Sequence, residues 1–307
     1  MLAEQAPCDP HSGSDETPNI CELAPAKLNL ALHVTGQRAD GYHLIETIVT
    51  FADVGDRLHF SPADEDCLTV SGRFCEGLTF DPADNLVARA RDSLRGYLQE
   101  TGRKAPSVSI HLEKNLPIAS GIGGGSADAA ATLRGLLRLW KVADVEDEEI
   151  DRLALTLGAD VPMCLQGRPA IARGVGELLT PLPKLPQLAL VLANPLIGVS
   201  TPEVFSRLAS RSNSPLPPLS DGRWIDILAK LRNDLEEPAI QLVPEIRDIS
   251  DLLTSHGASL TRMSGSGATC FGIFPAAKLA DQAASSLQAI HPDWYFQATR
   301  TISGNIP

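Results

Sequence analysis

Positive charge and aromatic rings are both scarce in this chain of 307 residues. Lys and Arg number 26 against 38 Asp and Glu, a formal net charge of −12. A nucleic-acid-binding surface needs a basic stripe, so that class of partner is excluded. A nucleotide ligand is not, because a few backbone amides and one lysine can hold a phosphate locally. Long hydrophobic runs are missing too. Nothing approaches the ~18 uninterrupted apolar residues of a membrane span, and the nearest run, LALVLANPLIGV, is broken by Asn194-Pro195. The opening MLAEQAPCDPHSGSDETPN carries neither a basic nor an apolar segment of the secretory type. The expectation is a cytoplasmic protein with no membrane partner and a loose, polar tail over residues 1–20. The six cysteines, Cys8, Cys21, Cys67, Cys75, Cys164 and Cys270, form no C-x-x-C pair and no zinc spacing. They read as free thiols in a reducing compartment.

What is present is a mixture of strand and helix patterns without strict alternation, which favours an α+β fold over a doubly wound sheet. Residues 24–34, APAKLNLALHV, alternate with period two. Leu28, Leu30, Leu32 and Val34 take one face, and Lys27, Asn29 and His33 take the other. A Gly- and Asp-containing turn, GQRADGYH, follows, and residues 43–60 read as strand, turn, strand. Further strands are expected at CLTVSG, SVSIHLEKNLP and LALVLANP. Helices are expected after Asp84-Asn85 up to Gly102, from about Ser126 to Trp140, and up to Gly158. Later helices are expected at TPEVFSRLAS, EIRDISDLLTSHG and AKLADQAASSLQAIH. Residues 259–274 read as loop, then strand. The Pro- and Gly-rich stretch near 175–187 suggests a hinge or a domain boundary, and 211–223 a surface loop.

The most informative stretch is PIASGIGGGSAD, residues 117–128. A dinucleotide fingerprint needs G-x-G-x-x-G after an apolar strand, but Ser126 occupies the third glycine position. A P-loop needs a lysine directly after its last glycine, and none follows. A plain turn capping a helix stays open. So does a phosphate loop of another design, in which four glycines expose consecutive N–H groups. Ser126 would then cap the helix, whose dipole favours an anion at the same end.

LPIASGIGGGSADAA resembles the second motif of the GHMP kinases, the superfamily of galacto-, homoserine, mevalonate and phosphomevalonate kinases. APAKLNLALHVTGQRADGYH at 24–43 and MSGSGATCFGIF at 263–274 resemble its first and third motifs, in the right order. PAKLNLALHVTGQRADGYHLIETI, LTLGADVPMCLQG and VSTPEVF further resemble the branch that phosphorylates the 2-hydroxyl of a cytidylylated methylerythritol on the non-mevalonate route to isoprenoids. The resemblance implies two domains. Residues 21–183 would form an ATP-binding domain like ribosomal protein S5 domain 2, and 184–307 a ferredoxin-like substrate domain, with the active site in the cleft between them. A homoserine or mevalonate kinase, or a non-catalytic nucleotide sensor on the same fold, is the alternative reading.

Residue roles follow from the matched motifs. The resemblance implies Asp160 as the base and Lys27 as its electrostatic partner. It implies ATP on Pro117, Ile118, Ala119, Ser120, Gly121, Ile122, Gly123, Gly124, Gly125, Ser126 and Ala127. Asn85 and Lys114 are expected near the adenine end. For the acceptor it implies Asn29, Tyr42, His43, Thr201 and Phe205, the last as one slice of an aromatic sandwich around the cytosine. Ser264, Gly265, Ser266 and Gly267 are expected close to the glycine loop. Asp128, at a helix N-terminus, stands where some relatives have Asn. Magnesium is expected with ATP and held mainly by its phosphates, since no dense carboxylate cluster suggests a protein cage. The state of assembly is expected to be a monomer or a homodimer.

Overall fold

The computed structural model describes residues 19–77, 85–219 and 221–304. The expected tail lies outside them except for its last two residues, as does Cys8. Two sheets organise the chain. The first is built on a long antiparallel pair, β1 (Ile20–Gln37) and β2 (His43–Pro62), joined by the hairpin loop 38–42. There follow β3 (Cys67–Ser71), α1 (Leu86–Glu100), β4 (Val108–Glu113), α2 (Gly124–Leu139), α3 (Asp147–Leu157), α4 (Val161–Gln166), β5 (Ala170–Gly174) and β6 (Leu178–Pro181).

The second half holds β7 (Ala189–Asn194), α5 (Thr201–Ser206), α6 (Trp224–Ala229), α7 (Glu236–Leu242), α8 (Glu245–Ser255), β8 (Leu260–Met263), β9 (Cys270–Phe274), α9 (Ala277–Ile290) and β10 (Tyr295–Arg300). No helix among the described residues is long and apolar enough to cross a membrane.

The first sheet has the order β3-β4-β2-β5-β6, with β1 on the other edge of β2. The twenty residues of β2 are long enough to pair β5 at one end, Ile45–Val49, and β4 at the other, Arg57–Pro62. The expected turn within 43–60 does not form. Gly55 serves a different purpose: a Cβ there would stand 2.8 Å from Pro25 Cα, so the glycine lets β1 cross close. Helices α1 and α2 cover the sheet, and Val49, Phe51, Phe60, Leu94, Leu98, Ile110, Leu133 and Leu136 form the core between them. The β5–β6 hairpin over 170–181 is additional to the sequence reading, and the rest of the stretch near 175–187 connects the first sheet to β7 of the second.

The second sheet runs β10-β7-β9-β8, all antiparallel, with α8 and α9 packed against it. Counted along the chain from β7, that strand order is 4-1-3-2, with helices before the second and fourth strands. This is the ferredoxin-like split βαβ arrangement, and the two sheets match the two-domain fold that the resemblance implies. The segment expected as loop then strand is a β8–β9 hairpin. Strand β10 and helices α4, α6 and α7 are additional to the sequence reading.

Strand β1 lies between the two halves. Leu28 and Leu30 pack with Leu190, Leu192 and Phe271 of the second sheet, and Leu32 and Val34 with Val191 and Met263. The apolar face is therefore as expected, but the polar face is buried as well: Lys27, Asn29 and His33 are 4%, 3% and 1% exposed. Burial of such groups is tolerated only when each finds partners.

Candidate active site

Irregularities in β1 flank the two polar residues nearest the cleft. Its register with β2 shifts between Pro25 and Lys27 and again between Asn29 and Ala31. Such bulges bend a strand and re-aim its side chains. Lys27 Nζ lies 3.0 Å from Asp160 Oδ2 and donates to Asn29 Oδ1 at 2.9 Å. Asn29 Nδ2 donates to Thr47 Oγ1 at 2.8 Å, and that hydroxyl donates to Ala31 O at 2.6 Å. Lys27 is thus held in one rotamer by a chain of partners ending in the backbone. Thr47, fully buried on β2, went unassigned in the sequence because a lone threonine in a strand carries no signal. Asp160 ends the turn after α3 and precedes Val161, the first residue of α4. Its side chain makes no cap hydrogen bond, and at 39% exposure the carboxylate is accessible from the cleft.

The glycine loop crosses directly beneath. Lys27 N donates to Ile122 O at 2.9 Å. Gly123, with φ 66°, is the N-cap of α2, so the helix begins at Gly124 and Ser126 lies in its first turn rather than at the cap. The early start follows from the left-handed conformation of Gly123, which turns the chain without needing a side-chain cap. The first N–H groups of α2 have no acceptor within the helix, and the helix dipole adds partial positive charge there.

The third motif clamps this loop from the other half of the molecule. Ser264 Oγ accepts from Asn29 N and donates to Gly121 O, both at 3.1 Å. Thr269 N donates to Ser120 O at 3.1 Å. A Cβ on Gly121 would stand 2.7 Å from Gly267 N, and one on Gly265 would stand 2.7 Å from Gly121 O. Both glycines have positive φ, 74° and 56°. Space and backbone conformation alike exclude larger residues. Asn233, unassigned in the sequence, donates to Met263 O and Gly265 O at 2.8 Å and so fixes the second loop.

Two lysines, not one, attend the glycine loop. A Cβ on Gly123 would meet Lys27 Cε at 3.1 Å, and one on Gly124 would meet Lys114 Nζ at 3.1 Å. Lys114, expected near the adenine end, lies under the loop because two buried carboxylates draw it there. Its ammonium bonds Asp56 Oδ2 and, at 2.7 Å, Asp128 Oδ2. Asp56 Oδ1 also accepts from Asn115 N and Leu116 N. Asp128 points inward, and burial, opposed by the Lys114 ammonium and reinforced by Asp56, raises its carboxyl from 3.8 to about 7. Asn85 caps α1, accepting from Val87 N at 2.9 Å.

Two cavities meet at the Lys27–Asp160 pair. One, of about 400 Å³, is lined by the glycine loop from Pro117 to Ser126 together with Lys114, Asp128 and Leu86. The other, of about 740 Å³, runs past Asn29 to Tyr42, His43, Phe205 and Arg211. Lys27, Ser126, Asp160, Thr201 and Gly265 line both. Thr201 Oγ1 and Ser266 Oγ are 2.7 Å apart at this junction.

At the far end of the larger cavity His43 and Phe205 stack, with ring centroids 4.6 Å apart and planes at 24°. That spacing leaves no room for a third ring between them, since two stacked gaps need roughly 7 Å. Tyr42 stands on the rim, 62% exposed. Burial, and next the Arg211 cation, lowers the His43 imidazole from its ordinary 6.5, so the ring is neutral at pH 7. Cys164, behind Asp160, has its thiol pushed up to about 12, chiefly by burial, and is a small apolar filler rather than a nucleophile. None of the five described cysteines is in a disulfide.

Known proteins share this fold. Residues 85–168 match the GHMP kinases N terminal domain, and residues 216–293 match the GHMP kinases C terminal family. A relative from Rhizobium leguminosarum bv. trifolii, named 4-diphosphocytidyl-2-C-methyl-D-erythritol kinase, is 60% identical over 301 residues, covering 97% of this chain and 100% of its own. The crystal structure of a 4-(cytidine 5'-diphospho)-2C-methyl-D-erythritol kinase superposes with a TM-score of 0.75 at 36% identity, covering 92% of this chain and 99% of the other. Homoserine kinase from Cytophaga hutchinsonii has a TM-score of 0.66 at 16% identity, covering 95% and 97%, a likeness of fold alone.

Proposed function

The chain belongs to the GHMP kinases, in the same family as its Rhizobium relative, and on that premise we propose that it transfers the γ-phosphoryl group of ATP to the 2-hydroxyl of 4-diphosphocytidyl-2-C-methyl-D-erythritol. One observation carries the reading: a glycine-lined cavity and an acceptor cavity meet at the Lys27–Asp160 pair. ATP lies in the smaller cavity with its phosphates on the N–H groups of residues 121–126. Lys27 Nζ, held by Asn29, faces the transferred phosphoryl group, whose charge spreads over three oxygens in a loose transition state. Asp160 accepts the proton of the attacking hydroxyl. Magnesium, expected with ATP, would be held mainly by the nucleotide and would supply charge neutralisation at its phosphates.

The cytosine stacks on the wall formed by His43 and Phe205, and Tyr42 closes over it from the hairpin tip. A neutral His43 offers both a donor and an acceptor to the edge of the base. The product is an intermediate of the non-mevalonate isoprenoid route, made in the cytoplasm, where free thiols persist.

Incubation with ATP, magnesium and this acceptor is expected to give one phosphorylated product. Homoserine and mevalonate, offered in its place, are expected to give none. Transfer to either of those, without transfer to the cytidylylated acceptor, would reassign the substrate. Phe205→Ala is expected to weaken cytidine binding by ~1–3 kcal/mol, the worth of one base–aromatic stack, read by calorimetry.

A further inference from the structure

The larger cavity is lined by four residues of fixed charge: Lys27, Asp40, Asp160 and Arg211. Lys27 and Asp160 neutralise each other, and Asp40 pairs with Arg38 at 2.7 Å. Arg211 is the lining charge that has no carboxylate partner among the described ion pairs. In a protein of net charge −12, a guanidinium left uncompensated at a cavity wall is a local exception.

Its position is fixed on both sides. Arg211 Nη1 donates to Gln37 Oε1 at 3.2 Å, and Gln37 Nε2 donates to Gly41 O at 3.0 Å, beside Tyr42. Two residues on, Asn213 N and Nδ2 both donate to Val34 O, at 3.0 and 3.1 Å. The start of the 211–219 segment is thus tied to the end of β1 and to the hairpin loop. A guanidinium has five N–H donors; one is committed to Gln37, which leaves a fork suited to two oxygens of one anion.

The geometry points to Arg211 as the residue that binds the diphosphate of the acceptor, and so as a determinant of specificity for a nucleoside diphosphate over the nucleoside. This rests on the acceptor reading above. With the reacting hydroxyl at Asp160 and the base on the His43–Phe205 wall, the diphosphate lies between the two, and Arg211, at the wall end of the cavity, is the lining cation without a carboxylate partner among the described ion pairs. Gln37 is a positioning residue that holds the guanidinium toward it.

Calorimetric titration of wild type, Arg211→Gln and Arg211→Lys with cytidine and with CDP tests the assignment, with thermal melting to verify the fold. Wild type is expected to bind CDP more tightly than cytidine. Arg211→Gln is expected to lose about tenfold in CDP affinity, the scale of one hydrogen bond to a charged group, with cytidine affinity within about twofold of wild type. Arg211→Lys is expected to fall between, since a lysine keeps the charge and loses the fork. Equal losses for cytidine and CDP, or an unchanged CDP affinity in Arg211→Gln, overturn the assignment. A wild-type protein that binds neither ligand overturns it too, and marks the failure as that of the acceptor reading.

Discussion

Two lysines flank consecutive glycines of one loop, yet they do different work. Lys27 touches a carboxylate that is 39% exposed at the meeting point of two cavities. Lys114 is sealed between Asp56 and Asp128, both 4% exposed or less. The residue types are the same, so composition does not separate them. Access does. A half-exposed carboxylate can receive a substrate hydroxyl, and its cation already lines both cavities. In the buried cluster two of the ammonium's three donors are committed to Asp56 and Asp128, and the cation supports the loop above it.

That difference is open to attack, starting with the largest expected effect. Asp160→Asn is expected to reduce turnover by a factor on the order of 10²–10⁴, the usual worth of a general base, while the urea midpoint stays within error of wild type. A variant that unfolds instead would make the open pair structural. Lys114→Met should show the opposite signature. Removing one partner of a buried charge cluster costs about 3–5 kcal/mol, here because Asp56 and Asp128 are left facing each other. Urea denaturation reads this loss, and an unchanged midpoint would mean that the cluster does not hold the loop.

Asp128→Asn sharpens the comparison with a smaller effect. In the fold the Asp128 carboxyl keeps its proton up to about pH 7, whereas the unfolded chain releases it near 3.8. The folded state therefore binds the extra proton between those values, and stability falls as pH rises through that window. The amide cannot titrate. The variant is expected to gain on wild type as pH goes from 4 to 7, with a constant difference above that. Urea melts at pH 5 and pH 8 measure it, and a difference independent of pH would place the proton elsewhere.

Much of this architecture was legible beforehand, for identifiable reasons. The alternation in APAKLNLALHV placed Lys27 and Asn29 on one side of a strand, because side chains in a strand alternate whatever the tertiary context. The glycines of 121–125 announced a close approach to something. The long helices declared themselves by their apolar stripes. Misreadings came where long-range contacts overrode local cues. Gly55 resembles a turn residue and is a contact point for β1. Ser126 resembles a cap and sits within the helix.

Arg211 and Asp56 show a different limit. An arginine in a Ser-rich loop and an aspartate in a strand are unremarkable in the chain. Their meaning comes from Gln37 and Lys114, groups far away in sequence that folding brings alongside.

The order of residues alone determined the α+β class, the three motifs and the kinase family, since those depend on local periodicity and on short runs of fixed residue type. The tertiary structure alone decided which lysine meets an open carboxylate and which is sealed, and which arginine is left unpaired at the cavity wall. Burial and charge pairing are properties of neighbours in space, and no spacing along a chain encodes them.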